Sequence, residues 1–183
     1  MKRIVLLLIL LTFCVSNVSA IVYESPDDPK GLGVSRYDDS ILFCDDEGST
    51  NSIEILYTDG GAASLKIENL PDLISDATTY EDCVYFVLTD GRVYKTDSTS
   101  GILNFSDSAD YDNHFLMLAN LDYNWNRDIF VDHDGTVFVN NRGTIVALDP
   151  PTFSTSVVFD LDDYGYEDSL WVNSIAPHPN GIA

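Results

Sequence analysis

A unit that repeats along the chain constrains its fold more than any other feature. Residues 82–97 (DCVYFVLTDGRVYKTD) align with residues 134–149 (DGTVFVNNRGTIVALD) after a shift of 52 residues. The shift superimposes Gly91 on Gly143, and an apolar β-rich run lies on each side of each glycine. Glycine adopts positive φ without strain, which tight hairpin turns require. Each unit is therefore predicted to be a β-hairpin.

Weaker copies of the unit occupy other parts of the chain. Residues 39–44 (DSILFC) align with residues 82–87 after a shift of 43 residues. The segment IAPHPNG at 175–181 resembles IFVDHDG at 129–135, which lies 46 residues upstream. One unit thus recurs at spacings of 43, 52 and 46 residues, and this is a period typical of repeat architectures.

A further apolar strand follows each of the two clearest hairpins, at Ile102–Phe105 and at Ser156–Phe159. About four short strands per unit at this period are typical of a β-propeller blade. The central strands are apolar at successive positions, as expected where neighbouring blades cover both faces. A β-sandwich also has many short strands, but it needs no repeating unit. We therefore predict an all-β fold, a β-propeller of about three four-stranded blades plus the start of a fourth. The predicted blades are 33–70, 73–120, 125–165 and an incomplete 171–183.

The pattern predicts almost no helix in this fold. His114–Leu121 (HFLMLANL) is the one segment expected to form either a short helix or an edge strand.

The first twenty residues are predicted to be a cleaved secretory signal peptide. Lys2 and Arg3 precede an apolar run at 4–15, and Val18-Ser19-Ala20 offers small residues for cleavage. The run is shorter than the ~20 residues that a spanning helix needs. We expect a secreted, extracellular chain with no membrane attachment after cleavage.

The remaining domain, residues 21–183, is strongly acidic. The formal charge of the whole chain is −21, and it becomes −23 once Lys2 and Arg3 are removed. Such a surface repels nucleic acid and anionic membranes, so neither is expected as a partner. The 45% hydrophobic content favours a packed core over disorder.

Two segments resemble known propeller families. VDHDGTVFV at 131–139, like IAPHPNG at 175–181, resembles the strand–turn–strand of NHL-type and gluconolactonase-like propellers. GTIVALD at 143–149 resembles the blade pattern of quinoprotein-like propellers. The resemblance implies architecture only, because these motifs are shared by superfamilies of unrelated function, and it assigns no catalytic residue.

The resemblance also raises the question of ring closure. Known propellers usually need four or more blades, whereas three and the start of a fourth are recognised here. Three explanations stay open: a fragment of a longer protein, a truncated product, or self-association that closes the ring.

Three acidic clusters fall between predicted strands, at Asp45–Glu47, Asp107–Asp112 and Asp160–Asp168. Calcium binds six to eight oxygens, and 160–165 has part of the spacing of a calcium loop, but Trp171 stands at the twelfth position where glutamate is required. These clusters are interpreted as solvated loops, and calcium stays the one cofactor considered. Asp132 and Asp134 are predicted to cap backbone N–H groups in a turn.

The histidines, cysteines and one asparagine offer weaker signals. His114, His133 and His178 form no HxH or HExxH motif, so no zinc site is predicted. Cys44 and Cys83 remain after signal cleavage, and both a disulfide and free thiols stay open. Asn104 begins an N-glycosylation sequon inside a predicted strand, which disfavours its use.

No catalytic constellation stands out, since there is no GxSxG motif and no supported cysteine nucleophile. The predicted function is therefore a non-catalytic module that binds an extracellular protein or carbohydrate. The alternative is a lactonase- or glycosidase-type hydrolase, with a carboxylate or metal site at the ring centre of a longer protein. Aromatic residues near blade junctions either hold ligands or pack between blades; they are Tyr123, Trp125, Tyr164, Tyr166 and Trp171.

Overall fold

The computed structural model describes residues 29–34, 41–45, 52–56, 65–97, 100–122, 127–165, 175, 177–178 and 181–182. The predicted signal peptide lies outside these residues, as do four of the five junction aromatics. Across the described ranges, no helix has the length and apolar character needed to cross a membrane.

The described elements are strands, with one short α-helix and one 3-10 helix. In chain order they are β1 (Pro29–Val34), β2 (Ile41–Asp45), β3 (Ser52–Leu56), β4 (Leu65–Glu68), β5 (Ile74–Tyr80), β6 (Cys83–Leu88), β7 (Arg92–Thr96), β8 (Gly101–Asn104), α1 (Ser108–His114), β9 (Phe115–Asn120), β10 (Ile129–Val131), β11 (Val137–Asn141), β12 (Thr144–Asp149), β13 (Ser154–Asp160), the 3-10 helix (Asp162–Tyr164), β14 (Pro177–His178) and β15 (Gly181–Ile182).

These strands form the blades of a β-propeller, as the repeat predicts. The second blade has strand order β5-β6-β7-β9, the third has β10-β11-β12-β13, and each is antiparallel throughout. The first sheet runs β1-β2-β3-β4 and adds β8 beside β4 as a parallel fifth strand. The hairpin β14-β15 begins a fourth sheet. The first strands of successive blades lie side by side, since β5 contacts β1 on one side and β10 on the other.

The second blade is covered on both faces, which explains its unbroken apolar strand. Side chains on β6 alternate between two separate cores, because successive residues of a strand point to opposite faces. Phe86 enters the core shared with the first sheet, and Val87 enters the core shared with the third. Burying one such side chain stabilises the fold by about 1.5–3 kcal/mol.

Each core joins residues from two neighbouring sheets. The core between the first and second sheets contains Ile53, Leu65, Ile67, Leu70, Ala77, Val84, Phe86, Leu88, Tyr94, Leu103 and Phe105. The core between the second and third sheets contains Tyr85, Val87, Val93, Ile129, Val137, Val139, Val146 and Leu148.

The strand predicted at Ile102–Phe105 belongs to a different sheet from the one expected. The repeat assigned it to the second blade, but β8 pairs with β4 of the first sheet, and Leu103 and Phe105 bury their side chains in the first core. The outer position beside β7 is taken by β9. His114–Leu121 is therefore mainly an edge strand, and helix α1 lies just before it. This insertion between β7 and β9 makes the 52-residue spacing the longest of the three.

The two aligned hairpin turns also differ in detail. Gly91 has φ of 100°, as predicted, but in the β11–β12 turn the positive φ of 58° falls on Arg142 and not on Gly143. At Gly91 the glycine is required for a second reason. A Cβ atom there would lie 1.9 Å from the carbonyl oxygen of Leu121, whose N–H donates to the Gly91 carbonyl at 2.8 Å.

Candidate functional site

Two carboxylates join consecutive blades at their first strands. Asp76 on β5 accepts a hydrogen bond from the N–H of Ile129 on β10, at 2.9 Å. Asp128, which precedes β10, accepts one from the N–H of Ile175 at 3.0 Å. The two aspartates are 52 residues apart and their donors 46 apart, so the same bond recurs with the repeat. We call Asp76 and Asp128 the interblade carboxylates.

A second pair of bonds strengthens the junction between the second and third blades. The N–H of Arg127 donates to Ser75 Oγ at 2.8 Å, and that hydroxyl lies 3.2 Å from the Arg127 carbonyl oxygen, to which it donates. Within the third blade, Asn140 on β11 is fully buried and its Oδ1 accepts from the Asp128 N–H at 2.9 Å, which holds the start of β10 in place. The blades are therefore joined by directed polar bonds as well as by apolar packing.

Burial shifts the charge balance of Asp76. Desolvation raises its pKa to about 7, although the N–H groups of Ile129 and Ala77 oppose the shift by bonding to the carboxylate. The charge of Asp128 adds a smaller rise. Asp76 consequently changes charge near neutral pH, where an ordinary aspartate is fully ionised.

Arg127 brings a buried guanidinium to the same junction. The residue is 2% exposed, and burial lowers its pKa to about 10. Its Nη1 donates to Asn141 Oδ1 at 3.0 Å and approaches the Asn140 carbonyl oxygen at 3.4 Å. Within the described residues, its Nε and Nη2 have no hydrogen-bond partner. Buried groups with perturbed pKa values, as Asp76 and Arg127 are, mark candidate functional sites.

The interblade junction, defined as Ser75, Asp76, Arg127, Asp128 and Asn140, was not anticipated from the sequence. A signal for it exists in the repeat. The 52-residue shift that aligns the hairpins also places Ser75-Asp76 on Arg127-Asp128. Extending the alignment seven residues upstream would have found the repeated aspartate, but not the depth at which it lies.

The predicted turn residues Asp132 and Asp134 do cap backbone groups. Asp132 Oδ1 accepts from the His133 N–H at 2.6 Å, and Asp134 Oδ1 accepts from the Thr136 N–H at 3.2 Å. The His133 ring Nδ1 lies 2.7 Å from Asp132 Oδ1, which raises the pKa of His133 and lowers that of Asp132. One potential ligand atom from each of Asp132, His133 and Asp134 lies within 4.8 Å of the others, and this group is exposed at the surface. The capping bonds account for this arrangement.

The acidic cluster at 107–112 serves a helix end. Asp107 is the N-cap of α1 and accepts from the Ala109 N–H, while Asp110 accepts from the Asn104 N–H at 2.9 Å. In the 160–168 cluster, Asp160 Oδ1 accepts from the Asp162 N–H at 3.0 Å at the start of the 3-10 helix. Asp107, Asp110 and Asp160 thus accept local backbone N–H bonds. Asp46 and Glu47 lie outside the described residues.

The remaining predicted residues are dispersed. His114 ends α1 and pairs with Asp97 at 3.2 Å, far along the chain from His133, and only the backbone of His178 is described, in β14. The Cys83 thiol is free, and the side chain of Cys44 lies outside the described part of the structure. Asn104 lies in β8, where its Oδ1 accepts from Asn69 Nδ2 at 3.1 Å. Tyr164 is 67% exposed and stacks on Phe159.

Comparisons with known proteins support the fold and no particular function. No protein-family model matches the chain, and no curated protein matches it. The crystal structure of the computationally designed Ika8 protein is similar over 85% of this chain and 42% of that one, with a TM-score of 0.55 and 13% identity. The crystal structure of HIRA(644–1017) aligns over 76% of this chain and 41% of that one, with a TM-score of 0.42 and 13% identity. This chain therefore spans less than half the length of either structure.

Proposed function

We propose that the chain is a secreted, non-catalytic binding module that recognises an extracellular protein or carbohydrate at the interblade junction. The observation that carries this proposal is the set of directed polar bonds that Ser75, Asp76 and Arg127 make where the second and third blades meet. Ligand sites combine a few convergent polar groups with a rigid apolar frame, and the two interblade cores supply such a frame. The acidic composition keeps the chain soluble and favours basic or neutral partners over anionic surfaces.

A binding screen with matched variants tests the proposal. The full chain is applied to glycan and peptide arrays beside D128N, which changes the junction, and D149N, which removes the same charge from an exposed residue. We expect ligands that bind wild type and D149N equally and bind D128N more weakly. Failure of the folded wild-type chain to bind any array member above background, or equal binding by D128N, would contradict the proposal.

A hydrolase is the second candidate, and one observation favours it. A carboxyl group with a pKa of about 7 beside another carboxylate resembles the acid and base pairs of glycoside hydrolases. Both carboxylates already accept backbone N–H bonds between blades, so a substrate would compete with structural bonds. Turnover of a lactone and glycoside panel, with and without calcium, that is lost in D76N would favour this candidate over the binding module.

Secretion and ring closure belong to the same proposal. N-terminal sequencing of the protein from its source is expected to begin after Ala20, and its intact mass is expected to show whether further blades accompany residues 21–183. If the mass equals that of this segment, we propose that copies associate to complete the ring, which light scattering would detect as an oligomer.

A further inference from the structure

The guanidinium of Arg127 has one hydrogen-bonded nitrogen and a second edge whose donors are unsatisfied. Nη1 bonds to Asn141 and approaches the Asn140 carbonyl, whereas Nε and Nη2 are buried without a partner among the described residues. A buried N–H donor without an acceptor destabilises a fold, and a charged one does so more strongly. A ligand that accepts from both donors would remove this destabilisation.

The two unsatisfied donors indicate which kind of acceptor would satisfy them. Nε and Nη2 lie on one edge of the planar guanidinium and point in parallel, which is the arrangement that binds two oxygens of one carboxylate. Residues whose charges act on Arg127 lie at the surface, since Asp122 and Arg142 are exposed. The edge itself is buried, so a terminal carboxylate reaches it only when the side chains that cover it move.

The charges that act on Arg127 limit the kind of anion that it can bind. Asp122 and Asp90 are the acidic residues among them. Asp90 is already paired with Arg92, so its charge is largely compensated. Asp122 is near enough to repel an anion, and this repulsion grows with the charge of the anion. A singly charged carboxylate is therefore favoured over a doubly charged phosphate.

We propose that the Nε–Nη2 edge of Arg127 is a subsite for a carboxylate of the ligand. This inference rests on the proposed binding function and gives it a chemical class: an acidic sugar or a peptide carboxyl group. The negative charge of Asp122 disfavours more highly charged anions.

The direct test follows the Arg127 Nε–H resonance by ¹H–¹⁵N NMR while sodium acetate replaces sodium chloride at constant ionic strength. R127K removes the resonance and assigns it, and R142K is the matched control. We expect a saturable shift in wild type and R142K with acetate, and none with chloride alone. A shift that rises linearly with acetate and does not saturate would overturn the proposal. So would acetate-induced shifts of the neighbouring Ser75 and Asn141 amides that are the same in R127K as in wild type.

A second variant keeps the test decisive if R127K does not fold. D122N removes a repelling charge, and exposed charge pairs are worth up to about 1 kcal/mol, so acetate is expected to bind up to about fivefold more tightly. If Asp122 is instead the counter-ion of Arg127, D122N will lower stability and leave acetate affinity unchanged, and the proposal fails.

Array ligands separate this inference from the binding function itself. Glucuronate-terminated glycans are compared with glucose-terminated ones, and free peptide C-termini with amidated ones, on wild type and R142K. Preference for the carboxylate member supports the subsite and identifies its source. If array ligands bind without that preference, the proposed binding function stands and the carboxylate subsite is refuted. If no array ligand binds but acetate gives a saturable shift, the proposed binding function alone is refuted.

Discussion

The stability of this protein is expected to fall as pH rises from about 4 to about 7 because of Asp76. Its pKa is about 7 in the folded chain and 3.8 in an ordinary, solvated state. Between these values the folded state holds a proton that the unfolded state has lost. Stability therefore decreases with rising pH across this window, and the penalty is complete above pH 7.

The size of the effect follows from the shift. A difference of about three pKa units corresponds to about 4 kcal/mol at 1.36 kcal/mol per unit, and this is an upper value because water entry relaxes a buried charge. The Asn side chain in D76N can still accept the Ile129 N–H through its oxygen, but it cannot ionise. The free energy of unfolding of D76N, relative to wild type, should then rise by up to about 4 kcal/mol between pH 4 and pH 8.

Urea denaturation at closely spaced pH values measures this difference. Carboxylates that do not interact with Asp76 contribute equally to both proteins and cancel in the subtraction, whereas the smaller effect of Asp128 on Asp76 stays in the difference. D149N is the control, because it removes one carboxylate from an exposed position on β12. A D76N–wild-type difference that stays constant within about 0.5 kcal/mol from pH 4 to 8 would refute the raised pKa of Asp76.

Three further predictions address packing, backbone and surface electrostatics. F86A should lower the free energy of unfolding by about 3–5 kcal/mol, because Phe86 is fully buried. V157A is the control and should change it by less than about 0.5 kcal/mol, because Val157 is 61% exposed. Similar losses for both variants would place Phe86 outside a core. G91A should lower the free energy of unfolding by at least about 2 kcal/mol, since the positive φ of Gly91 and its close approach to a carbonyl leave no room for a Cβ atom. An unchanged free energy of unfolding would mean that the β6–β7 turn has another conformation. D132N should return the raised pKa of His133 towards 6.5 in an NMR titration, and an unchanged pKa would exclude their hydrogen bond in solution.

The sequence was sufficient to predict the architecture because the repeat and the strand pattern report the same physical fact. Phe86 and Val87 are both apolar since both faces of β6 are covered. The assignment of Ile102–Phe105 was wrong for a related reason. An apolar pattern shows that a strand will be buried, but it does not show which strand it pairs with. Parallel pairing with β4 buries β8 as well as antiparallel pairing with β7 would have done.

The candidate site was harder to predict because its residues are common polar types. Asp76 and Arg127 resemble many surface residues in the sequence. Their significance comes from burial between blades, which depends on bonds between residues 52 and 53 positions apart. Asp132 and Asp134 were predictable since their bonds are local. Helix α1 was missed although Asp107 is a typical N-cap, because Tyr111 is the one apolar side chain of its seven residues that packs against a core, and one contact gives no apolar period.

The central claim is that the second blade is packed between two others. Methyl and aromatic NOEs from β6 test this most directly. We predict that Phe86 and Leu88 give NOEs only to residues of the first core, such as Leu65 and Ile67, and that Val87 gives NOEs only to residues of the second. If one face of β6 shows NOEs to no other sheet, the fold is a two-layer sandwich and the propeller account is contradicted.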